Sequence, residues 1–181
     1  MNDETLCGRL LIASPALIDP NFRRSVVLVV AHDDDGAVGL VLNRPSDTTV
    51  AEAVPLLADL TGSEALVSVG GPVQPEAVCV LAEWDEPDEA GKLVFGDIGL
   101  MGAEAELDDV APATRRVRVF AGYAGWSAGQ LEAELDEPSW IVEHARVEDI
   151  FDEGDVWAAA LRRKGGGYSL IATMPEDPSL N

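Results

Sequence analysis

The residues best equipped for chemistry lie in a few short segments. Arg24 and Ser25 stand together before an apolar run, close to Asp19 and Asn21, and Asn43-Arg44 closes the next apolar run. A guanidinium among short polar side chains at a loop mouth suits an anion or a carboxylate. Gly70-Gly71 and the stretch from Gly122 to Gln130 supply backbone that can approach a ligand closely, and Tyr123 and Trp126 add rings to stack on it. A helix starting near Gln130 would also offer its positive end to an anion. The candidate ligand-binding set is therefore Arg24, Ser25, Asn43, Arg44, Gly70, Gly71, Tyr123, Trp126 and Gln130.

Each of these also has a structural explanation. Arg24 can pair with Asp19 and fix the loop through turn hydrogen bonds. The Gly122–Gln130 stretch can be a strand-to-helix corner. In that reading Ser127 is the N-cap, Gln130 completes a capping box, and Trp126 with Leu131 forms a hydrophobic staple. This account covers Trp126, Ser127, Gln130 and Leu131 without any ligand and carries more weight. No Gly-Lys-Ser/Thr follows the glycines, and their spacing is not that of a dinucleotide fingerprint.

Catalytic arrangements are sparse. His32 and His144 are the only imidazoles, and there is no Gly-x-Ser-x-Gly elbow. Among 33 acidic residues, adjacency of two carboxylates carries no information. No catalytic residue is assigned. The enzymatic alternative is a hydrolase-like pocket gathering Arg24, Asn43, Gly71 and Gln130. Cys7 and Cys79 sit in apolar stretches without metal-ligand spacing, so buried free thiols are expected, with no metal and no cofactor.

Charge narrows the partners. Twelve Lys and Arg against 33 Asp and Glu give −21. Such a chain repels phosphate backbones and anionic membranes, so direct nucleic-acid or membrane binding is not expected. The one basic run, Arg162-Arg163-Lys164, suits the negative end of a helix. A protein partner or a small ligand remains, with the oligomeric state open. The acidic start lacks a secretory pattern and no apolar run reaches membrane-span length, so a cytoplasmic location is expected.

The positioning elements follow from periodicity. Gly8–Ala13 reads as a strand. Ser25–His32 reads as a strand buried on both faces, turning at Asp33–Gly36 into a hairpin with Ala37–Asn43. Thr49–Thr61 reads as a helix with a Thr49/Glu52 capping box, strained by Pro55. Leu66–Val69, Val78–Ala82, part of Leu93–Met101, Arg116–Phe120 and Ser139–Glu143 read as strands, with an acidic loop over Glu83–Lys92. Helices are expected after Ser127, over Asp155–Lys164 and briefly in Tyr168–Met174, before an extended tail from about residue 175. Local strand pairing with scattered helices predicts a single α+β domain over residues 1–181.

Five segments in order resemble the bacterial AlgH family. They are Gly8–Ala13 with Pro15, Asp19–Val26, His32–Pro45, Gly70–Val73, and Gly122–Glu132 followed by Glu134, Leu135 and Trp140. The resemblance implies one α+β domain with coiled or bifurcated, mostly antiparallel β-sheets and several short helices. It also brings the label of a transcriptional regulator of alginate synthesis. No catalytic residue set comes with it. A non-enzymatic regulatory or binding protein is the expectation.

Overall fold

The computed structural model describes residues 5–177 and 179. Ten strands form one sheet: β1 (Arg9–Ala13), β2 (Val26–Asp33), β3 (Gly36–Val41), β4 (Pro45–Thr49), β5 (Leu66–Val69), β6 (Val73–Trp84), β7 (Lys92–Phe95), β8 (Ile98–Leu100), β9 (Thr114–Ser127) and β10 (Trp140–His144). The helices are α1 (Val50–Ala53), α2 (Ala58–Thr61), α3 (Leu107–Ala113), α4 (Gln130–Asp136), α5 (Val147–Phe151), α6 (Val156–Lys164) and α7 (Tyr168–Ile171). This is the expected α+β class.

The main path runs β10-β1-β2-β3-β9-β6-β8-β7. Its pairings are antiparallel. β9 carries two neighbours in succession on one edge. Its middle pairs in parallel with β5 (Ser68 with Phe120), and its end pairs with β3 (Gly36 with Ser127). The sheet therefore forks at β9, with β4 and β5 on one branch and β3, β2, β1 and β10 on the other.

The continuous apolar run over Ser25–His32 becomes a strand buried on both faces, as its composition predicts. In β2, Val26, Leu28 and Val30 join a core with Trp157 and Leu161 of α6, while Val27 and Val29 join a second core with Trp126, Leu131 and Trp140. In β9, Val119 turns into a third core with Val50, Leu57 and Val67, and Phe120 turns the other way into the first core.

Two expectations are corrected. The segment 49–61 begins with the predicted capping box: Thr49 Oγ1 accepts from the Glu52 N–H at 3.2 Å, and the Glu52 carboxylate accepts from the Thr49 N–H at 3.0 Å. It does not run as one helix. Pro55 cannot share the helical conformation with its predecessor, so Val54 lies at φ −139, ψ 75 and the segment breaks into α1, a 3-10 turn (Pro55–Leu57) and α2. The strand predicted to end at Phe120 instead continues to Ser127, through the glycine-rich stretch. Glycine is needed there because two backbones cross. A Cβ on Gly71 (φ +155) would lie 2.2 Å from the Tyr123 carbonyl carbon, and one on Gly122 (φ +71) would lie 2.6 Å from the Gly71 oxygen. Gly70 ties the fork, taking the Ala121 carbonyl with its N–H at 2.9 Å and giving its own carbonyl to the Val41 N–H at 2.8 Å.

β4, α3 and α5 were not anticipated, and the predicted acidic loop is shorter, since Glu83 and Trp84 lie buried in β6. The predicted extended tail falls partly outside the described residues.

Candidate functional site

Three arginines converge where the loop before β2 meets the residue after β3. Arg23, Arg24 and Arg44 line an open recess of about 770 Å³, together with Ile18, Pro20 and the tail residues Glu176 and Asp177. The loop is built by turn chemistry. Asp19 Oδ1 accepts from the Asn21 N–H at 2.8 Å, and the Ser25 hydroxyl, fully buried, donates to the Phe22 carbonyl at 2.6 Å. Arg24 itself sits at φ +54, a left-handed backbone that costs a non-glycine residue on the order of 1 kcal/mol or more.

That backbone turns the Arg24 side chain onto Trp157, with the guanidinium 4.0 Å from the ring centroid. It donates to the Met174 carbonyl at 2.8 Å and lies 3.7 Å from Asp155. The expected pair with Asp19 does not form; the carboxylate partner is Asp155, at the N-cap of α6. Arg44 donates to the Asn43 carbonyl at 3.2 Å and to the Arg23 carbonyl, and Arg23 donates to the Glu176 carbonyl. Among the described residues neither Arg23 nor Arg44 forms an ion pair with a carboxylate. Burial pulls the Arg44 guanidinium below its ordinary pKa, and the Glu176 carboxylate offsets part of that. Arg23 in turn helps lower the pKa of Asp177, behind the larger effect of its hydrogen bonds from Ser179.

Asn43 braces this site from behind. Its amide oxygen accepts from the Val26 N–H at 3.0 Å and its amide nitrogen donates to the Arg24 carbonyl at 2.8 Å. Gly71 lines a smaller adjoining hollow of about 250 Å³ with Pro20, Arg44 and Pro72. The structure thus brings Arg24, Ser25, Asn43, Arg44 and Gly71 into one neighbourhood and adds Arg23 and Trp157.

Gln130 lies elsewhere, and although the Tyr123 backbone abuts Gly71 and Trp126 touches Phe22, both of those side chains turn into the cores. Gln130 follows the Ser127 that pairs with Gly36, at the opposite end of β3 from Asn43. At about 3.3 Å per residue those ends are roughly 20 Å apart. Trp126 is buried against Phe22 and Trp140, and both indole N–H groups, from Trp126 and Trp140, donate to Glu134 at 2.9 Å. Tyr123 packs on the main core. Half of the predicted capping box is present: the Gln130 side chain accepts from the Ser127 N–H at 3.0 Å. The N-cap is nevertheless Gly129 (φ +74), because β9 runs on as far as Ser127. Trp126 and Leu131 share the second core, as the staple requires.

The histidines are occupied. His32 Nδ1 accepts from the Leu6 N–H at 3.0 Å, which leaves Nε2–H to donate to Glu132 at 2.6 Å. With both nitrogens engaged, neutral His32 has no lone pair to take a substrate's proton. His144 Nε2 accepts from Arg9 at 3.0 Å. Cys7 and Cys79 are free but only half-buried, and burial raises both thiol pKa values. The basic run on α6 does more than face the helix dipole. Arg163 makes a bidentate pair with buried Asp149 at 2.8 and 2.9 Å.

Sequence reasoning missed Arg23 as a site residue, although the adjacent Arg23-Arg24 pair in so acidic a chain was a readable signal. Nothing local could have marked Trp157, which lies more than a hundred residues away.

The forked α+β sheet defines the class of fold. Residues 10–169 match the AlgH-like family model, and the chain belongs to that family. It is 44% identical over 186 residues to a UPF0301 protein of Streptomyces coelicolor, covering 98% of this chain and 96% of that one. A UPF0301 protein of Thermobifida fusca is 41% identical over 194 residues, covering 100% and 98%. Among solved structures, a Corynebacterium diphtheriae protein superimposes with TM-score 0.87 at 25% identity, covering 96% of this chain and 94% of that one. The AlgH protein of Pseudomonas aeruginosa gives 0.71 at 32% identity, covering 97% of each. No described helix is long and apolar enough to cross a membrane.

Proposed function

We propose that this protein is a non-catalytic binding protein of the cytoplasm, and that its arginine recess takes an acidic segment of a protein partner. The observation that carries this reading is the convergence of Arg23, Arg24 and Arg44 in one open recess of a chain with net charge −21. The Arg23 and Arg44 guanidiniums are held by backbone carbonyls, which orient their remaining donors without neutralising them, while Arg24 lies on the Trp157 indole face with Asp155 at 3.7 Å. The chain's own tail supplies the pattern of the occupant: Met174 and Glu176 meet the arginines through carbonyls, and the Glu176 and Asp177 side chains line the recess. Regulation by such a protein would act through a partner rather than through DNA.

Fluorescence anisotropy of a labelled hexaglutamate peptide with the full chain tests this at low salt. Two charge-assisted hydrogen bonds at roughly 1.5–3 kcal/mol each predict more than ten-fold weaker binding for the Arg23→Ala/Arg44→Ala double variant. The Glu176→Ala/Asp177→Ala variant, which weakens the internal competitor, should bind more tightly. Equal binding by all three proteins would end the proposal.

A further inference from the structure

Another arginine is half-buried under different terms. Arg118 projects from β9 into the fork between β3 and β5. Its Nη1 donates to the Ile150 carbonyl at 2.6 Å, and its Nη2 donates to the Leu42 carbonyl at 2.5 Å and the Ser68 hydroxyl at 2.7 Å. The guanidinium also lies 4.9 Å from the Phe120 ring centroid. Arg24, Arg115, Arg116 and Arg163 each reach a carboxylate; Arg118 reaches none among the described residues. Burial alone pushes its pKa down to about 10, so it is still charged at neutral pH.

A guanidinium has five N–H donors, and three bonds to uncharged oxygens leave two unspent. Among the described residues no fully buried side-chain nitrogen or oxygen lacks a partner, so the Nε–H of Arg118, which has none, is not fully buried. Arg118 lines a cleft of about 620 Å³, the size of a small-molecule site. A half-buried charge without a counter-ion carries a desolvation cost that an anion in the cleft would relieve.

The walls say which anion. Leu42, Leu66, Val117 and Phe151 are apolar, and Glu64, Asp152 and Glu153 are the charged residues beside Arg118, all of them exposed. Such a rim disfavours a polyanion and favours a cationic group. We infer that this cleft binds a small zwitterion of the amino-acid type, its carboxylate on Arg118, its apolar side chain against the walls and its ammonium toward the acidic rim. The site is separate from the Arg23–Arg24–Arg44 recess and stands without it.

The test is NMR titration of the full chain with three matched probes: L-leucine, 4-methylpentanoate, which lacks the ammonium, and 3-methylbutylamine, which lacks the carboxylate. L-leucine should shift the Arg118 Nε–Hε signal and the Phe151 amide saturably, with at least ten-fold higher affinity than either truncated probe. Leu66 is 44% exposed, so Leu66→Trp narrows the cleft without touching Arg118 or the core; it should abolish the shifts and keep the spectrum folded. The inference is overturned if L-leucine leaves Arg118 unshifted, if 4-methylpentanoate binds as well as L-leucine, or if folded Leu66→Trp binds unchanged.

Discussion

Asn43 decides whether the loop behind the arginine recess is a brace. Replacing it with alanine removes the acceptor for the Val26 N–H and the donor to the Arg24 carbonyl. Val26 is fully buried, so its N–H is left without water as well as without a partner. An unsatisfied buried group costs about 1–3 kcal/mol, and loss of the second bond adds about 1 kcal/mol, giving roughly 2–4 kcal/mol. For a chain of this size that corresponds to a fall in Tm of roughly 5–15 °C. Urea denaturation followed by circular dichroism would measure it. The midpoint should fall with an unchanged m-value, since the surface exposed on unfolding is the same. Asp47→Ala, an exposed change nearby, should stay within about 0.5 kcal/mol. If Asn43→Ala is equally silent, the side chain does not make these bonds, and the argument that it positions Arg24 fails.

Other outcomes follow from the same contacts. Gly71→Ala should destabilise by about 2 kcal/mol or more, because its Cβ meets the Tyr123 backbone at 2.2 Å, whereas Gly129→Ala, also left-handed but with open space, should cost nearer 1 kcal/mol; calorimetry separates them. The hydrogen bond from His32 holds the Glu132 carboxyl below its ordinary pKa. A depressed folded value means that its contribution to stability is present above the unfolded pKa and is lost as pH falls through the folded one. His32→Ala should therefore move Glu132 back up in a carbon-detected NMR titration; an unmoved Glu132 would contradict the pairing. Burial raises both cysteine thiols, so Cys7 and Cys79 should react with a disulfide reagent at pH 8 more slowly than free cysteine does.

The elements that could be read in advance were those whose signal is local. β2 announces burial on both faces by unbroken apolarity, and the Thr49/Glu52 cap is side-chain chemistry within one turn. The fork could not be read, because it depends on Gly70-Gly71 meeting Gly122-Tyr123 across fifty residues. That crossing also explains why the glycine-rich stretch, read as a strand-to-helix corner or a ligand loop, continues as a strand. α5 follows its N-cap Arg146 and carries Asp149, whose carboxylate answers Arg163, a pairing invisible without the third dimension. Of the candidate site residues, Arg24, Ser25, Asn43 and Arg44 cluster because β2 and β3 are adjacent, a hairpin legible from sequence, whereas Gly71 joins them only through the fork. Trp157 and the tail reach them only through the fold.

The most direct test of the arginine recess is to watch its guanidiniums. In the full chain at low salt, hexaglutamate should shift the Nε–Hε signals of Arg23, Arg24 and Arg44 together along one saturable curve, and raising the salt should reverse the shifts. Signals that stay in place while other residues respond, or no response at all, would contradict the account.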